Sequence, residues 1–398
     1  MKAIVNCLQA AIAACFFAGS VASAAPPGPP IVVGSISTLS GGPAVFASTG
    51  QAAKAFFDSV NASGGIQNRK IVYLQEDDKA DPAVARQMAA KLLDETKVVA
   101  LTGGASLLEC AVNAARYSEA GVVSVPGLGL DKGCFTSQAI APVNSGAFVQ
   151  MALAMRYASE RLRAERLCVM RLGNPINLQK EFDAVVQDWT LRSGRTPALD
   201  ERNIQYSDKP EELMAKAILA KCQAVVFGGS EPFVLAFARA AQKRLDKNVA
   251  LLFIGSAYTS RVAQELGSGE HRIFAMSEFE PWSSRSGSLS NWRNLMTTRG
   301  IPLTSASQGG YVSAQVLVQV LSSIKGEINR QSVTEAYRQL KPINVAMAGM
   351  PFTFGTAMQH HPNQAAIPVE LLGGRWRIAH HEWLIYTPAS PSLAARAP

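Results

Sequence analysis

Residues 31–66 constrain this chain most. A short β-branched run, Ile31-Val32-Val33-Gly34-Ser35-Ile36, passes into a polar glycine loop, Ser37-Thr38-Leu39-Ser40-Gly41-Gly42-Pro43. A helix-period segment follows over 44–60 and closes in Asn61-Ala62-Ser63-Gly64-Gly65-Ile66. The run is apolar on both faces, which predicts a strand buried in a parallel sheet. The helix places Ala53, Phe56, Phe57 and Val60 at helical spacing. Gly64-Gly65 ends it, because glycine takes left-handed dihedrals at no steric cost. Strand, hydroxyl-bearing loop and helix start together make a binding edge, where free backbone N–H groups point above the sheet.

The unit repeats. Strands are expected at 70–75, 98–101 and 122–125, with helices at 82–95 (Asp81 as N-cap, Pro82 in the first turn) and 106–119. A second series begins after Ala141-Pro142-Val143-Asn144. Its helices are expected at 145–163, 178–192, 210–221 and 231–244. Its strands are expected at 166–172, near 203–206, and at 224–227, 250–254 and 273–276. Helices at 289–299, 308–324 and 332–340 follow, and 352–386 reads as antiparallel strands with glycine turns. Two alternating series predict an α/β fold of two similar doubly wound parallel-sheet lobes.

The order Leu39-Ser40-Gly41-Gly42-Pro43-Ala44, Val60-Asn61-Ala62-Ser63-Gly64-Gly65-Ile66, Arg69-Lys70-Ile71, Glu76-Asp77-Asp78 and Asp81-Pro82 resembles the periplasmic substrate-binding proteins of the leucine/isoleucine/valine type. These serve ABC importers of the branched-chain amino-acid class. The resemblance implies the type I periplasmic binding protein fold, with a hinge crossed three times by the chain. Lobe 1 would be 31–143 plus 281–342, and lobe 2 would be 144–280 plus 343–386. It implies capture of a small solute between the lobes by hinge closure and delivery to an inner-membrane ABC permease. No cofactor and no catalytic step are expected, and a monomer is.

The ends of the chain carry their own signals. Lys2, an apolar stretch to Val21, and Ala22-Ser23-Ala24 fit a secretory signal removed after residue 24, which places the protein in the periplasm. Ile12-Ala13-Ala14-Cys15 offers a second reading, a lipoprotein anchored at Cys15. Residues 387–398 are expected as a disordered tail. The net charge of +8 includes Lys2, so +7 remains after its removal. Lys/Arg runs with interleaved aromatics are absent from the sequence, so nucleic acid is not an expected partner. Export leaves Cys110, Cys134, Cys168 and Cys222 in an oxidising compartment. Cys110 with Cys134 and Cys168 with Cys222 are the expected disulfides, buried free thiols being the alternative.

In an open α/β sheet, ligands bind beyond the carboxyl ends of the strands. That rule selects loops containing Ser40 and Gly41, Ser106, Leu128 and Gly129, Asn174, Ser230 and Glu231, and Ser256 and Tyr258. The resemblance implies that Ser106 and the loop at Leu128-Gly129 hold the ligand's carboxylate and amine. The family's usual acidic partner for an ammonium is missing at Ser256-Ala257-Tyr258. Either Glu231 takes that role or the ligand has no ammonium; an amino acid and an aliphatic or aromatic carboxylate both stay open.

Enzyme signatures are weak. Gly127-Leu128-Gly129-Leu130-Asp131-Lys132-Gly133 misses the dinucleotide and phosphate-loop patterns. A Gly-x-Ser-x-Gly elbow between strand and helix is lacking. His360-His361 and His380-His381 are adjacent pairs, each offering at most one ligand to a given metal, so no metal site is expected. A periplasmic ligand sensor for a membrane receptor and a degenerate α/β enzyme remain the alternative functions.

Overall fold

The computed structural model describes residues 28–173 and 179–388. The expected signal segment with Cys15, candidate Asn174 and most of the expected tail lie outside the described residues. The first sheet has the order β2-β1-β3-β4, from β1 (Ile31–Ser37), β2 (Ile71–Asp77), β3 (Leu101–Thr102) and β4 (Ser124–Val125). All its pairings are parallel. Helices α1 (Ala47–Ala62), α2 (Pro82–Ala90) and α3 (Glu109–Glu119) connect them. Asp81 caps α2 through the N–H groups of Ala83 and Val84, with Pro82 in the first turn.

The chain then passes into α4 (Gly146–Glu160), β5 (Leu167–Leu172), α5 (Gln179–Ser193), β6 (Leu199–Ile204), α6 (Pro210–Leu219), β7 (Ala224–Gly228), α7 (Glu231–Arg244), β8 (Ala250–Phe253), α8 (Ser260–Leu266) and β9 (Ile273–Ser277). It returns through α9 (Ser290–Thr298), α10 (Ser305–Ser323) and α11 (Arg330–Arg338), and ends in β10 (Ala365–Leu372), β11 (Arg375–Ile378) and β12 (Leu384–Ile385). The second sheet runs β11-β10-β9-β8-β7-β5-β6, with β12 beside β10. Strands β5 to β9 are parallel, and β10 joins β9 in the opposite sense.

Three passages therefore join two cores. The first core gathers Ile31, Val33, Phe57 and Val125 with Trp292, Val316, Leu317 and Tyr337 from the returning helices. The second sheet is buried on both faces, by Phe227, Phe237 and Phe253 on one side and Leu153, Met155 and Trp189 on the other. Ile343, Val345, Met347, Phe352 and Phe354 also pack in the first core. The third passage thus falls between Phe354 and Ala365, later than the 342/343 boundary that the resemblance implied. Scattered apolar residues mark no crossing of their own in this segment, so the boundary rested on the resemblance alone.

α10 is held against α1 by small residues. A Cβ on Gly310 would lie 1.9 Å from the carbonyl oxygen of Thr49. A Cβ on Gly127 would lie 2.8 Å from the Gly310 nitrogen. Backbone thus meets backbone, and the loop after β4 is seated on α10. Cys110 is bonded to Cys134 and Cys168 to Cys222, with Cα separations of 5.0 Å and 5.8 Å. The second bond ties β5 to Cys222, two residues before its neighbour β7. Among the described residues, no helix is long and apolar enough to cross a membrane.

Candidate functional site

The strand orders reverse between β1 and β3 in the first sheet and between β5 and β7 in the second. Ligands of doubly wound sheets sit outside such switch points. The loops at the carboxyl ends of β1, β3 and β4 in the first sheet, taken as a first wall, and of β7 and β8 in the second, taken as a second wall, carry nine of the ten candidates.

The first wall is apolar at its surface. Leu128 is 8% exposed and clusters with Phe46, Ala105 and Ala306; Val45, Leu107 and Leu130 pack against them half-buried. Polar groups in this wall serve the wall itself. The Ser106 hydroxyl donates to Asp78 Oδ2 and accepts from the N–H groups of Leu108 (3.1 Å) and Glu109 (2.8 Å). Ser40 is exposed, and its N–H, with that of Leu39, donates to Asp77 Oδ1 at 3.2 and 3.0 Å. Gly41 holds a left-handed φ of 78°, which this turn requires. Gly129 is buried, and Asn144 takes both its N–H (2.7 Å) and its carbonyl (3.1 Å).

Behind the wall lies a group of acids. Glu109 accepts from the Tyr117 hydroxyl at 2.8 Å. Burial pushes the Glu109 carboxyl up to about 8, against the Tyr117 hydrogen bond and reinforced by the charges of Asp78 and Asp131. Burial likewise pushes Asp131 up to about 6, although backbone N–H groups, Ala111 foremost, pull it down. Asp77 goes the other way, to about 2. Desolvation, the largest single cause, raises it, but the hydrogen bonds from the Ser40 side chain and the N–H groups of Lys79, Ser40 and Leu39 together outweigh it. Asp131 also sits beside Cys110 and Cys134. Those sulfurs are bonded to each other and offer no thiolate to a metal.

The second wall presents polar groups. Ser230 is the N-cap residue of α7, yet its side chain makes no capping bond. Its oxygen instead accepts from the hydroxyl of Tyr206, which is 63% exposed, at 2.9 Å. Pro232 has no N–H and the Val234 N–H donates to the Ser230 carbonyl, so the first-turn donors left without a capping side chain are those of Glu231 and Phe233. Glu231 stands 3.6 Å from Arg261 Nη1. The Ser256 hydroxyl donates to the Gly229 carbonyl and joins the loops after β7 and β8. Tyr258 is buried, stacks on Trp282 at 4.9 Å between centroids, and meets Ser283 at 3.2 Å. Lys132 of the first wall pairs with Glu181 of α5 at 3.1 Å, bridging the lobes.

Sequence reasoning missed Leu107, Leu130, Tyr206 and Glu278. The leucines follow β3 and β4 within loops already selected, so they were legible as the apolar members of a binding loop. Tyr206 carried no signal, because β6 runs over Leu199–Ile204 rather than near 203–206. A cavity of about 210 Å³ between α4 and α5 is lined by Arg156, Arg192, Trp189 and Tyr386 and by none of the candidates. Its arginines pair with Glu160 and Asp188. His361 lies between Phe135 and Phe148 at the hinge, and His360 stacks on Phe354.

Comparison with known proteins agrees with this fold. LivJ, the branched-chain amino acid transporter substrate binding protein of Streptococcus pneumoniae solved with isoleucine, is 18% identical. It superposes with a TM-score of 0.73 over 90% of this chain and 100% of that one. A solute binding protein of an ABC transporter from R. palustris, solved with 4-hydroxybenzoate, is 16% identical, with a TM-score of 0.75 over 90% and 98%. The fatty acid ABC transporter substrate-binding protein of Thermomonospora curvata is 17% identical, with a TM-score of 0.73 over 93% and 96%. No curated protein matches the sequence. Residues 30–375 match the family model described as periplasmic binding protein, and the chain belongs to that family.

Proposed function

We propose that this chain is the solute-binding component of an ABC importer, and that its ligand is a carboxylate with an apolar body and no ammonium group. The protein is exported to the periplasm by its N-terminal segment, works as a monomer, closes its lobes on the solute and presents it to the inner-membrane permease. No chemical step is required of it.

One observation carries the ligand class. Among the described residues, every carboxylate on the loops of the two walls already has a protein partner: Asp77, Asp78, Glu109, Asp131 and Glu231. An ammonium brought into the closed cleft would stay unpaired, at a cost of several kcal/mol. A carboxylate is better served. The uncapped start of α7, with the Ser230 hydroxyl, offers donors and a favourable dipole. The leucines of the first wall suit a hydrocarbon or aryl body. One relative solved with 4-hydroxybenzoate and one named for fatty acids support this reading.

A second reading, an amino acid, is favoured by Glu231. Its ion pair with Arg261 is long and half-exposed, so closure can exchange it for a ligand ammonium. A thermal-shift screen of amino acids and of aliphatic and aryl carboxylates separates the readings, because a ligand that binds only the folded state raises Tm by mass action. Shifts confined to carboxylates support the proposal. Shifts confined to amino acids, and lost in Glu231→Gln, replace it with the second reading.

A further inference from the structure

Each of the three passages between the lobes contributes one buried polar side chain, and the three meet. Asn144 lies on the first passage, Glu278 on the second and Asn363 on the third; they are 2%, 7% and 2% exposed. Asn363 Nδ2 donates to the carbonyls of Val143 and Glu278, both at 3.1 Å. Glu278 Oε2 accepts from Asn144 Nδ2 at 3.1 Å and from Gln150 Nε2, on α4, at 2.8 Å. The N–H groups of Ser145 and Gly146 also donate to this carboxylate.

The two amides pass the link outward. With their N–H₂ ends turned to Glu278, their oxygens face away from it. Asn144 Oδ1 takes the N–H of Gly129 in the first wall. Gln150 Oε1 takes the N–H of Gly255, which opens the Gly255-Ser256-Ala257-Tyr258 loop of the second wall. A continuous hydrogen-bonded path therefore runs Gly129–Asn144–Glu278–Gln150–Gly255 through the hinge, from one wall of the cleft to the other.

We infer that Glu278 is a positioning residue of the cleft: its carboxylate aims the Asn144 and Gln150 amides and thereby sets the two ligand loops relative to each other. The chemistry requires the charged form. Every group facing Glu278 in this knot is a donor, so a proton on the carboxylate, or the N–H₂ of a glutamine, opposes a donor and turns an amide away. No cation pairs with Glu278 among the described residues. Burial raises its carboxyl to about 7, against hydrogen bonds from Asn144, Gly146, Ser145 and Gln150. The titratable neighbour in the knot is His361, whose Nε2 lies 2.9 Å from the Ser145 carbonyl. Burial lowers His361 to about 4, so it stays neutral while Glu278 titrates. The neighbouring Glu280 accepts from Ser284 and Ser288 instead.

Amide hydrogen exchange on the ligand-free full chain tests this without knowledge of the ligand. After correction for intrinsic rates, protection of Gly129 and Gly255 should fall about tenfold from pH 8 to pH 6: turning the amides away removes hydrogen bonds that hold the Glu278 carboxyl down while leaving it buried, so the turned-away arrangement binds the proton more tightly and gains population as Glu278 titrates near 7. Val169 and Val226, in β5 and β7, should not change. Glu278→Gln should abolish the pH response and expose both amides at pH 8, whereas Gln150→Met should expose Gly255 and leave Gly129 protected. Unchanged protection of both glycines between pH 8 and pH 6 overturns the inference in the wild-type chain alone, as does full protection of both in a folded Glu278→Gln. In parallel, Kd is measured for 3-phenylpropanoate and for phenylalanine. Whichever binds should bind about tenfold more weakly at pH 6 than at pH 8, and a Kd independent of pH refutes the coupling to the cleft. Failure of one of the two ligands bears only on the ligand class.

Discussion

Two serines at strand ends, one in each wall, show how differently the walls are built. Ser106 in the first wall is 3% exposed, and its hydroxyl is committed to Asp78 and to two backbone N–H groups. Ser230 in the second wall starts a helix without capping it and shares its hydroxyl with an exposed tyrosine. The first wall turns its polar groups inward and shows leucine. The second leaves donors at its surface. On the proposed function, grip on a hydrocarbon body would belong to one lobe and recognition of a charged head to the other, and closure would be needed to satisfy both.

The largest effect that should break this contrast is a charge placed in the first wall. Leu128→Asp buries a carboxylate among Phe46, Ala105 and Ala306. It should cost about 3 kcal/mol in stability and abolish binding, read by denaturant unfolding and calorimetry. Ser106→Ala comes next. It strands two N–H groups and removes the donor to Asp78, so about 2 kcal/mol of stability should be lost, with no ligand contact removed. Ser230→Ala should do the reverse. Stability should stay within about 0.5 kcal/mol, while affinity for a carboxylate should fall about tenfold, the worth of one charge-assisted hydrogen bond. If the two alanine variants behave alike, the contrast between the walls is wrong.

A pH slope inside the first wall sharpens the contrast further. Glu109 is raised to about 8, so between the unfolded value near 4.5 and 8 the folded chain holds a proton that the unfolded chain has lost. Stability therefore falls as pH rises through that window. Glu109→Gln should flatten the fall between pH 6 and 8 in urea titrations. Asp77, lowered to about 2, has the opposite sign. Its contribution is present above its unfolded value near 3.8 and is lost as pH falls toward 2, so Asp77→Asn should matter at neutral pH and not in acid.

Much of the architecture was legible because it rests on local pattern. The apolar runs of β1, β5, β7 and β8 and the Asp81-Pro82 start of α2 are read within a few residues of where they lie. Strands β3 and β4 shrink to two residues each, because apolar content marks burial but not ladder length. α8 went unread, being seven residues long and started by Thr259 without a longer periodic pattern. The site was less legible for a different reason. Ser106 is spent on Asp78, twenty-eight positions earlier, and Glu278 meets Asn144 and Gln150 more than a hundred positions away. A single sequence carries the residue types but not the partners that use up their hydrogen bonds.

The central claim, that the cleft takes a carboxylate and has no place for an ammonium, is tested most directly by calorimetry on refolded, ligand-free protein with 3-phenylpropanoate and phenylalanine, which differ by one amino group. The account predicts heat of binding from 3-phenylpropanoate, lost in Leu128→Asp and weakened in Ser230→Ala, with phenylalanine at least a hundredfold weaker, about the 2.7 kcal/mol an unpaired ammonium would cost. Tighter binding of phenylalanine than of its deaminated counterpart would contradict it and would place an acidic partner, Glu231 first, in the cleft.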